Sequence, residues 1–174
     1  MARIPYPDTT TPDLAPLAEE VRRTRGRLLN LFRALMHSPS IAEPWIHLGT
    51  AVRYGSGLGD RTRELVICQV AARTGSTYEW HHHSGAAAAA GVTAEQLDAV
   101  PDPPSGTFDA VEEQLLRYTD KVIAGSVDDE TFHAMVDVHG ERATTEITAT
   151  VAFYIGVSRF LAAMDVEIEN TEAE

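Results

Sequence analysis

Residues 63–91 read RELVICQVAARTGSTYEWHHHSGAAAAAG and carry the strongest structural signal in the chain. The segment is mostly apolar from Leu65 to Ala72, and it then reaches Gly75. Glycine commonly ends helices because it adopts the left-handed conformation without strain. A second helical segment is predicted from about Tyr78 to Ala90. The stretch therefore predicts two helices joined by a short turn at Gly75.

The segments before this stretch also predict helices. One helix is predicted over residues 14–35, where leucines recur at helical spacing, with Asp13 as its candidate N-cap and Pro39 marking its end. Another helix is predicted from Ser40 to Val52, and three glycines follow it. Asp60 is the candidate N-cap of the helix after that.

The segments after the stretch continue the helical pattern. Thr93 and Gln96 fit a capping box, and the run PDPPSG at residues 101–106 interrupts the chain. Two more helices follow, and a last helix from about Glu141 to Asp165 is apolar on nearly every side. A helix of that composition is predicted to be buried in a core or against another subunit.

These patterns predict an all-α fold, a single compact helical domain of about seven or eight helices. We place the domain at residues 13–168, after an extended N-terminal arm at residues 1–12 and before an acidic tail at residues 169–174. No GxGxxG motif follows a strand pattern, so the sequence does not indicate a dinucleotide-binding fold.

The composition argues against several classes of partner. The 174 residues carry a net charge of −12, which would repel nucleic acid and anionic lipid. No apolar run approaches the roughly 20 residues needed to span a bilayer. The single cysteine, Cys68, cannot form an intrachain disulfide, and we read it as a small core residue. We therefore expect a cytoplasmic protein that binds a small-molecule substrate, with no nucleic-acid or membrane partner.

Residues of acid–base type concentrate in the same stretch. Glu79 and His83 are four positions apart, which places them on one face of a helix, and His82 is within reach of Glu79. A carboxylate beside an imidazole fixes the ring tautomer and favours its protonated form, so the pair can transfer protons. Glu64 lies in the first turn of the preceding predicted helix.

Each of these residues also has a structural interpretation. Ser76 and Glu79 fit a capping box, in which the glutamate would only satisfy a backbone N–H group. Glu64 could complement the helix dipole or pair with Arg61.

The histidine triplet at residues 81–83 is a poor metal site, because consecutive side chains point about 100° apart around a helix. Glu79 and His83 could supply two metal ligands, but at least one more would be needed. We therefore expect no metal and no other cofactor, and a metal-dependent enzyme remains an alternative.

The run RELVICQVAARTGSTYEWHHHSGAAAAAGVTAEQL resembles the carboxymuconolactone decarboxylase family, which includes the AhpD-type alkylhydroperoxidases. The resemblance extends from about Leu28 to Val166 and implies an AhpD-like fold. It also implies a homo-oligomer, commonly a trimer or hexamer. Members with this motif include decarboxylases and peroxidases, so the motif indicates the family and leaves the reaction open.

The peroxidase branch of this family uses a glutamate, a CxxC pair and a histidine. The resemblance places these four positions on Glu64, Ser76, Glu79 and His83, so neither cysteine is present here. A hydroxyl and a carboxylate cannot cycle through a disulfide, which excludes thiol-dependent peroxide reduction at this site.

The remaining groups predict a cofactor-free lyase, a decarboxylase or a related proton-transfer enzyme, acting on a small oxygenated organic acid or lactone. The predicted catalytic residues are His83, Glu79 and Glu64. Ser76 is a candidate hydrogen-bond donor to substrate, and the further candidate substrate-binding residues are His82, Trp80 and Tyr154. A non-catalytic ligand-binding protein of the same fold is the alternative from another class.

Overall fold

The computed structural model describes residues 2–169, and every regular element in that range is helical. The prediction of an all-α fold with seven or eight helices is therefore confirmed over these residues. The helices are α1 (Ala15–Arg25), α2 (Asn30–Leu35), α3 (Pro39–Thr50), α4 (Asp60–Thr74), α5 (Thr77–Ala89), α6 (Ala94–Ala99), α7 (Ala110–Ala124) and α8 (Asp129–Met164). A π-helical turn, Ala51–Gly55, follows α3.

The chain divides into two compact units, Met1–Tyr54 with Phe160–Glu174, and Gly55–Arg159. The first unit holds α1, α2 and α3 with the end of α8, and the second holds α4 to α7 with most of α8. The predicted acidic tail lies outside the described residues except for Glu169.

In the first unit, the prediction of one helix from residue 14 to 35 is wrong. Gly26, at φ +82°, ends α1, and its N–H donates to the carbonyl of Arg22. That left-handed φ interrupts the leucine pattern, because helical spacing in a sequence can continue across a single-residue break. Asp13 does not cap α1: the cap position is Leu14, and no side chain bonds to the helix end there.

In the second unit, the predicted hairpin of two helices is confirmed as α4 and α5. Gly75 ends α4 in the left-handed conformation, at φ +68°. Ser76 begins α5, and its side chain accepts a hydrogen bond from the N–H of Glu79. The expectation that Asp60 is an N-cap is wrong, because Gly59 occupies that position and the Asp60 carboxylate instead accepts from Arg63 at 2.7 Å.

The core of the second unit packs around α4. A buried apolar cluster combines α4, α5, α7 and the loops beside α6 and is formed by Leu65, Cys68, Ala87, Val92, Val100, Phe108 and Leu116. The predicted capping box at Thr93 and Gln96 is present at the start of α6. Arg61 donates to Glu112 and Gln96, which ties α4 to α7 and α6. This packing fixes the position of α4 against its neighbours.

Helix α8 contains both of the last two predicted helices, joined at Gly140, where φ +78° and ψ 163° are not helical. Of the helices within residues 2–169, α8 alone is long and apolar enough to cross a membrane, judged only by length and composition. Core helices of soluble proteins pass the same test, and 39% of its most apolar window is buried. The Tyr118 hydroxyl on α7 lies 2.6 Å from the Thr148 hydroxyl on α8.

Candidate functional site

Glu64 on α4 and His83 on α5 are in direct contact. The Nδ1–H of His83 donates to Oε2 of Glu64 at 2.6 Å. Both residues are buried, with 2% of Glu64 and 4% of His83 exposed. Burying a carboxylate costs free energy unless the carboxylate is paired. Separating the two groups is therefore unfavourable, and the contact fixes the orientation of the imidazole.

The other ring nitrogen of His83 faces Glu79. Its Nε2 lies 3.4 Å from Oε2 of Glu79, one helical turn earlier on α5. Charge-assisted N–H···O bonds are usually 2.7–2.9 Å long. The Glu79 contact is therefore looser than the Glu64 contact, and the two carboxylates flank one imidazole.

The capping-box interpretation of Glu79 accounts for only half of its geometry. Ser76 Oγ accepts from the N–H of Glu79 at 3.4 Å, so the serine does cap α5. The N–H of Ser76 donates instead to the carbonyl of Ala71 at 2.9 Å. With that N–H already bonded, the Glu79 carboxylate is not needed at the helix start and lies beside His83 instead.

Arg63 extends this group of charges. Its Nε donates to Oε1 of Glu64 at 3.3 Å, and its Nη2 donates to Asp60. Burial acts to lower the pKa of Arg63, but its hydrogen bond to Asp60 and the charge of Glu64 leave that pKa raised overall. Glu64 therefore lies between a fixed cation and the imidazole of His83.

The sequence has four arginines near this stretch, Arg53, Arg61, Arg63 and Arg73, and it does not single out Arg63 among them. The structure shows that Arg61 is bonded to Glu112 and that Arg73 is bonded to Asp120. Arg53 lies in the other unit, with its guanidinium 5.1 Å from the ring centre of Tyr54. The signal for Arg63 is its position directly before Glu64, but a single sequence does not show which way a side chain turns.

Tyr154 on α8 forms a wall of the site. Its ring centre lies 5.2 Å from that of His83, at an interplanar angle of 86°, and 4% of the residue is exposed. An edge-to-face arrangement of this kind restricts the tilt of the imidazole. Substrate binding by Tyr154 stays a prediction.

The other predicted substrate-binding residues have different surroundings. Ser76 caps α5, as described above. The ring of His82 lies 4.6 Å from that of Tyr78. Trp80 packs against the apolar cluster around α4. The described contacts thus assign structural roles to these three side chains, and substrate binding by them stays a prediction.

Cys68 lies one turn after Glu64 on α4 and is fully buried in the apolar cluster. Burial and the nearby charge of Glu64 raise the pKa of Cys68 to about 12. The thiolate is the reactive form, so this thiol is inert at neutral pH. Among residues 2–169, no three His, Cys, Asp or Glu side chains are grouped to hold a metal ion.

The fold matches solved structures of AhpD-like proteins. An uncharacterized peroxidase-related protein from Ralstonia eutropha JMP134, with an alkylhydroperoxidase AhpD core, matches with a TM-score of 0.82 and 19% identity over 97% of this chain and 93% of that one. A peroxidase-related protein from Silicibacter sp. TM1040 matches with a TM-score of 0.82 and 15% identity, over 98% and 91% of the two chains. The class defined by these matches is the AhpD-like all-α fold.

A third match is the debrominase Bmp8 in complex with 2,3,4-tribromopyrrole, with a TM-score of 0.76 and 21% identity over 95% of this chain and 90% of that one. Residues 39–121 match the carboxymuconolactone decarboxylase family. Together with the fold, this match over just under half of the chain fits an AhpD-like member of that family. No curated protein matches the chain.

Proposed function

We propose that this protein is a cofactor-free lyase or decarboxylase, or a related proton-transfer enzyme, acting on a small oxygenated organic acid or lactone. The observation that carries the proposal is the buried imidazole of His83 between the carboxylates of Glu64 and Glu79. Glu79 and His83 form the acid–base pair, and Glu64 holds the ring in one orientation.

The two carboxylates contribute differently to this chemistry. The short contact from Glu64 to Nδ1 fixes the tautomer, as second partners of catalytic histidines generally do. The longer contact at Nε2 leaves that N–H able to turn from Glu79 to a substrate oxygen. Burial strengthens each of these electrostatic interactions. Since only 4% of His83 is exposed, substrate entry requires the surrounding side chains to move.

Decarboxylation at such a site needs no redox partner. The bond between the substrate carbon and its carboxylate breaks, carbon dioxide leaves, and the electron pair moves into a conjugated carbonyl to form an enolate. The Nε2–H of the His83 imidazolium donates a hydrogen bond to the enolate oxygen and then a proton to carbon. A proton from solvent restores the imidazolium.

Thiol peroxidase activity does not fit these residues. The positions of the family's redox cysteines hold Ser76 and Glu79, and the one thiol, that of Cys68, is buried and has a raised pKa. Peroxide reduction through a disulfide needs two thiols that can meet and exchange.

The test is turnover of a panel of carboxylated lactones and β-keto acids that includes carboxymuconolactone, measured as product formation and carbon dioxide release. We expect His83→Gln to lower kcat by about 10²–10⁴-fold, the usual contribution of one general acid–base group. His133→Gln is the matched control, because His133 is exposed and bonds to the backbone of its own helix. Equal turnover by folded His83→Gln protein would remove His83 from the mechanism.

The same assay separates the alternatives. Saturable binding without turnover, indifferent to both substitutions, would indicate a non-catalytic ligand-binding protein. Loss of turnover after chelation, restored by a metal, would indicate a metal-dependent enzyme. Release of bromide from 2,3,4-tribromopyrrole would indicate a reaction like that of the debrominase neighbour.

We also propose that the protein is a cytoplasmic homo-oligomer, either a trimer or a hexamer. Large apolar side chains are exposed on α3 and α8, namely Ile41, Leu48, Phe132 and Val138. Exposed apolar side chains of this size are the kind that a subunit contact covers. Sedimentation equilibrium would give the subunit number, and a monomer at all concentrations would contradict the proposal.

A further inference from the structure

Arg63 is a cation buried close to the N-terminal end of α4. Arginine side chains usually lie at the protein surface, yet only 8% of Arg63 is exposed. The N-terminal end of a helix also carries partial positive charge, so a cation there gains nothing from the helix dipole. The position of Arg63 is therefore explained by its contacts, which are with two carboxylates of the same helix.

Asp60 holds the outer end of the guanidinium. It lies three positions before Arg63, so the two side chains are neighbours on the helix surface. Nη2 of Arg63 donates to Oδ1 of Asp60 at 2.7 Å, and the Asp60 side chain is 79% exposed. Nε, which is nearer the backbone along the side chain, donates to Oε1 of Glu64 at 3.3 Å. The guanidinium thus bridges an exposed carboxylate and a buried one, and the Asp60 contact stabilises the orientation that the Glu64 contact needs.

The two oxygens of Glu64 accept hydrogen bonds from two different groups. Oε1 accepts from Nε of Arg63, and Oε2 accepts from Nδ1–H of His83 at 2.6 Å. Electrostatic attraction is strongest at contact distance and in buried surroundings. The charge of Arg63 therefore acts directly on the carboxylate that orients the imidazole.

The proton in the short contact between Glu64 and His83 has two chemically reasonable positions. It can lie on Nδ1 beside an ionised carboxylate, or on Oε2, with Glu64 as a neutral acid and Nδ1 as the acceptor. Burial favours the neutral acid, and only 2% of Glu64 is exposed. Glu79, with Oε2 at 3.4 Å from Nε2 of the same ring, favours it further, because two carboxylates that share a site disfavour each other's charge.

Arg63 opposes both of these effects. An opposite charge at hydrogen-bond distance favours the ionised form of a carboxylate, and so does a hydrogen bond donated to that form. The imidazole of His83 supplies a positive charge only while it holds two protons, whereas a guanidinium keeps its charge at any accessible pH. Arg63 is thus a permanent cation beside the carboxylate whose charge the site needs.

We propose that Arg63 is a positioning residue that keeps Glu64 ionised and thereby keeps a proton on Nδ1 of His83. In this role Arg63 acts through Glu64 and needs no contact with the substrate. With Nδ1 protonated, a second proton on Nε2 gives the imidazolium that the decarboxylation step uses as its acid. The consequence for turnover rests on the proposed function, whereas the position of the Nδ1 proton does not.

The test is the proton on Nδ1, measured from the ring ¹⁵N resonances of His83 at pH 7, with His83→Gln used to assign the signals. We expect Nδ1 to be protonated in the wild type. We expect it to lose that proton in Arg63→Gln and in Arg63→Met, which keeps an apolar stem, and to retain it in Arg63→Lys, which keeps the charge. Arg73→Gln is the matched control, because Arg73 lies on the same helix and is bonded to Asp120.

Three results would overturn the proposal. An unprotonated Nδ1 in the wild type would do so without any variant. A protonated Nδ1 in either folded charge-removing variant would show that Glu64 stays ionised without Arg63. Loss of the proton in Arg63→Lys or in Arg73→Gln would assign the effect to side-chain shape or to net charge, and not to the cation at this position.

Turnover gives a separate measurement. If the proposed function holds, we expect Arg63→Gln to lower kcat about tenfold or more with a smaller change in KM, and Arg63→Lys to recover most of that loss. Unaltered turnover by His83→Gln together with the expected ¹⁵N result would refute the proposed function and leave the role of Arg63 standing. Loss of turnover in His83→Gln, with Nδ1 protonated in every Arg63 variant, would refute only the role of Arg63.

Discussion

Oε2 of Glu64 lies 2.6 Å from Nδ1 of His83, although the two residues are on different helices and 19 positions apart. The contact joins the two arms of the α4–α5 hairpin, and only Gly75 and Ser76 separate those helices. Glu79, the nearer residue in sequence, is the more distant partner at 3.4 Å. The geometry therefore ranks Glu64 above Glu79 as the group that orients the ring.

Removing the charge of Glu64 is expected to be more damaging than removing that of Glu79. Breaking a buried ion pair by changing one partner costs about 3–5 kcal/mol. We therefore expect Glu64→Gln to lower the free energy of unfolding by about 3 kcal/mol and Glu79→Gln by less, as measured by urea denaturation at neutral pH. Glu43→Gln on the exposed surface of α3 is the control, with a change within about 0.5 kcal/mol. Equal losses for the two site variants would contradict this ranking.

Cys68 is expected to be unreactive in the folded protein. Its thiol is buried, and burial together with the charge of Glu64 raises its pKa to about 12, so the thiolate is scarce at pH 8. The measurement is the rate of modification by an aromatic disulfide reagent, with and without urea. We expect the native rate to be at least 100-fold lower; rapid modification of native protein would show that the thiol is accessible.

Gly75 is expected to tolerate no side chain without a loss of stability. Its φ of +68° is left-handed, and a side-chain carbon would meet no atom within 4 Å, so the cost is purely conformational. We expect Gly75→Ala to destabilise the fold by about 1–2 kcal/mol. Gly59→Ala is the matched control, because Gly59 also has open space but a φ of −61°. Thermal unfolding of both variants measures the difference, and similar melting temperatures would refute the argument.

His139 is expected to make folding stability depend on pH. Burial lowers its pKa below the usual 6.5, so between the two values the unfolded chain binds a proton that the folded chain does not. The contribution of the neutral imidazole to folding stability is therefore fully present above pH 6.5. It is lost as the pH falls through the folded-state pKa of His139. We expect the stability difference between the wild type and His139→Gln, measured by urea denaturation, to grow as the pH rises toward 6.5. A flat difference across this range would contradict the assignment.

Most of the fold could be predicted because its signals are local. Gly75 needs only its own conformational freedom to end α4, and Thr93 needs only Gln96 to cap α6. The break at Gly26 could not be predicted, because the leucine spacing runs through it without interruption. The predicted division between the last two helices is present, because the backbone at Gly140 is not helical and Glu141 follows it directly.

The candidate site could be predicted only in part. The spacing of Glu79 and His83 on one helix is visible in the sequence, and the structure places their side chains together. The closer contact to Glu64 depends on how α4 packs against α5, and the bond from Arg63 depends on a side-chain rotamer. Tertiary packing sets the distances between side chains on different helices. Residue types alone therefore do not show which carboxylate lies closer to His83.

The two-residue connection between α4 and α5 also limits how this protein can diverge. Each residue added to an α-helix turns the following side chains by about 100°. One insertion or deletion between Thr74 and Thr77 that shifted the register of α5 would carry the imidazole away from its carboxylate on α4. Insertions and deletions should therefore be tolerated in the connection between α6 and α7 and selected against at the α4–α5 junction.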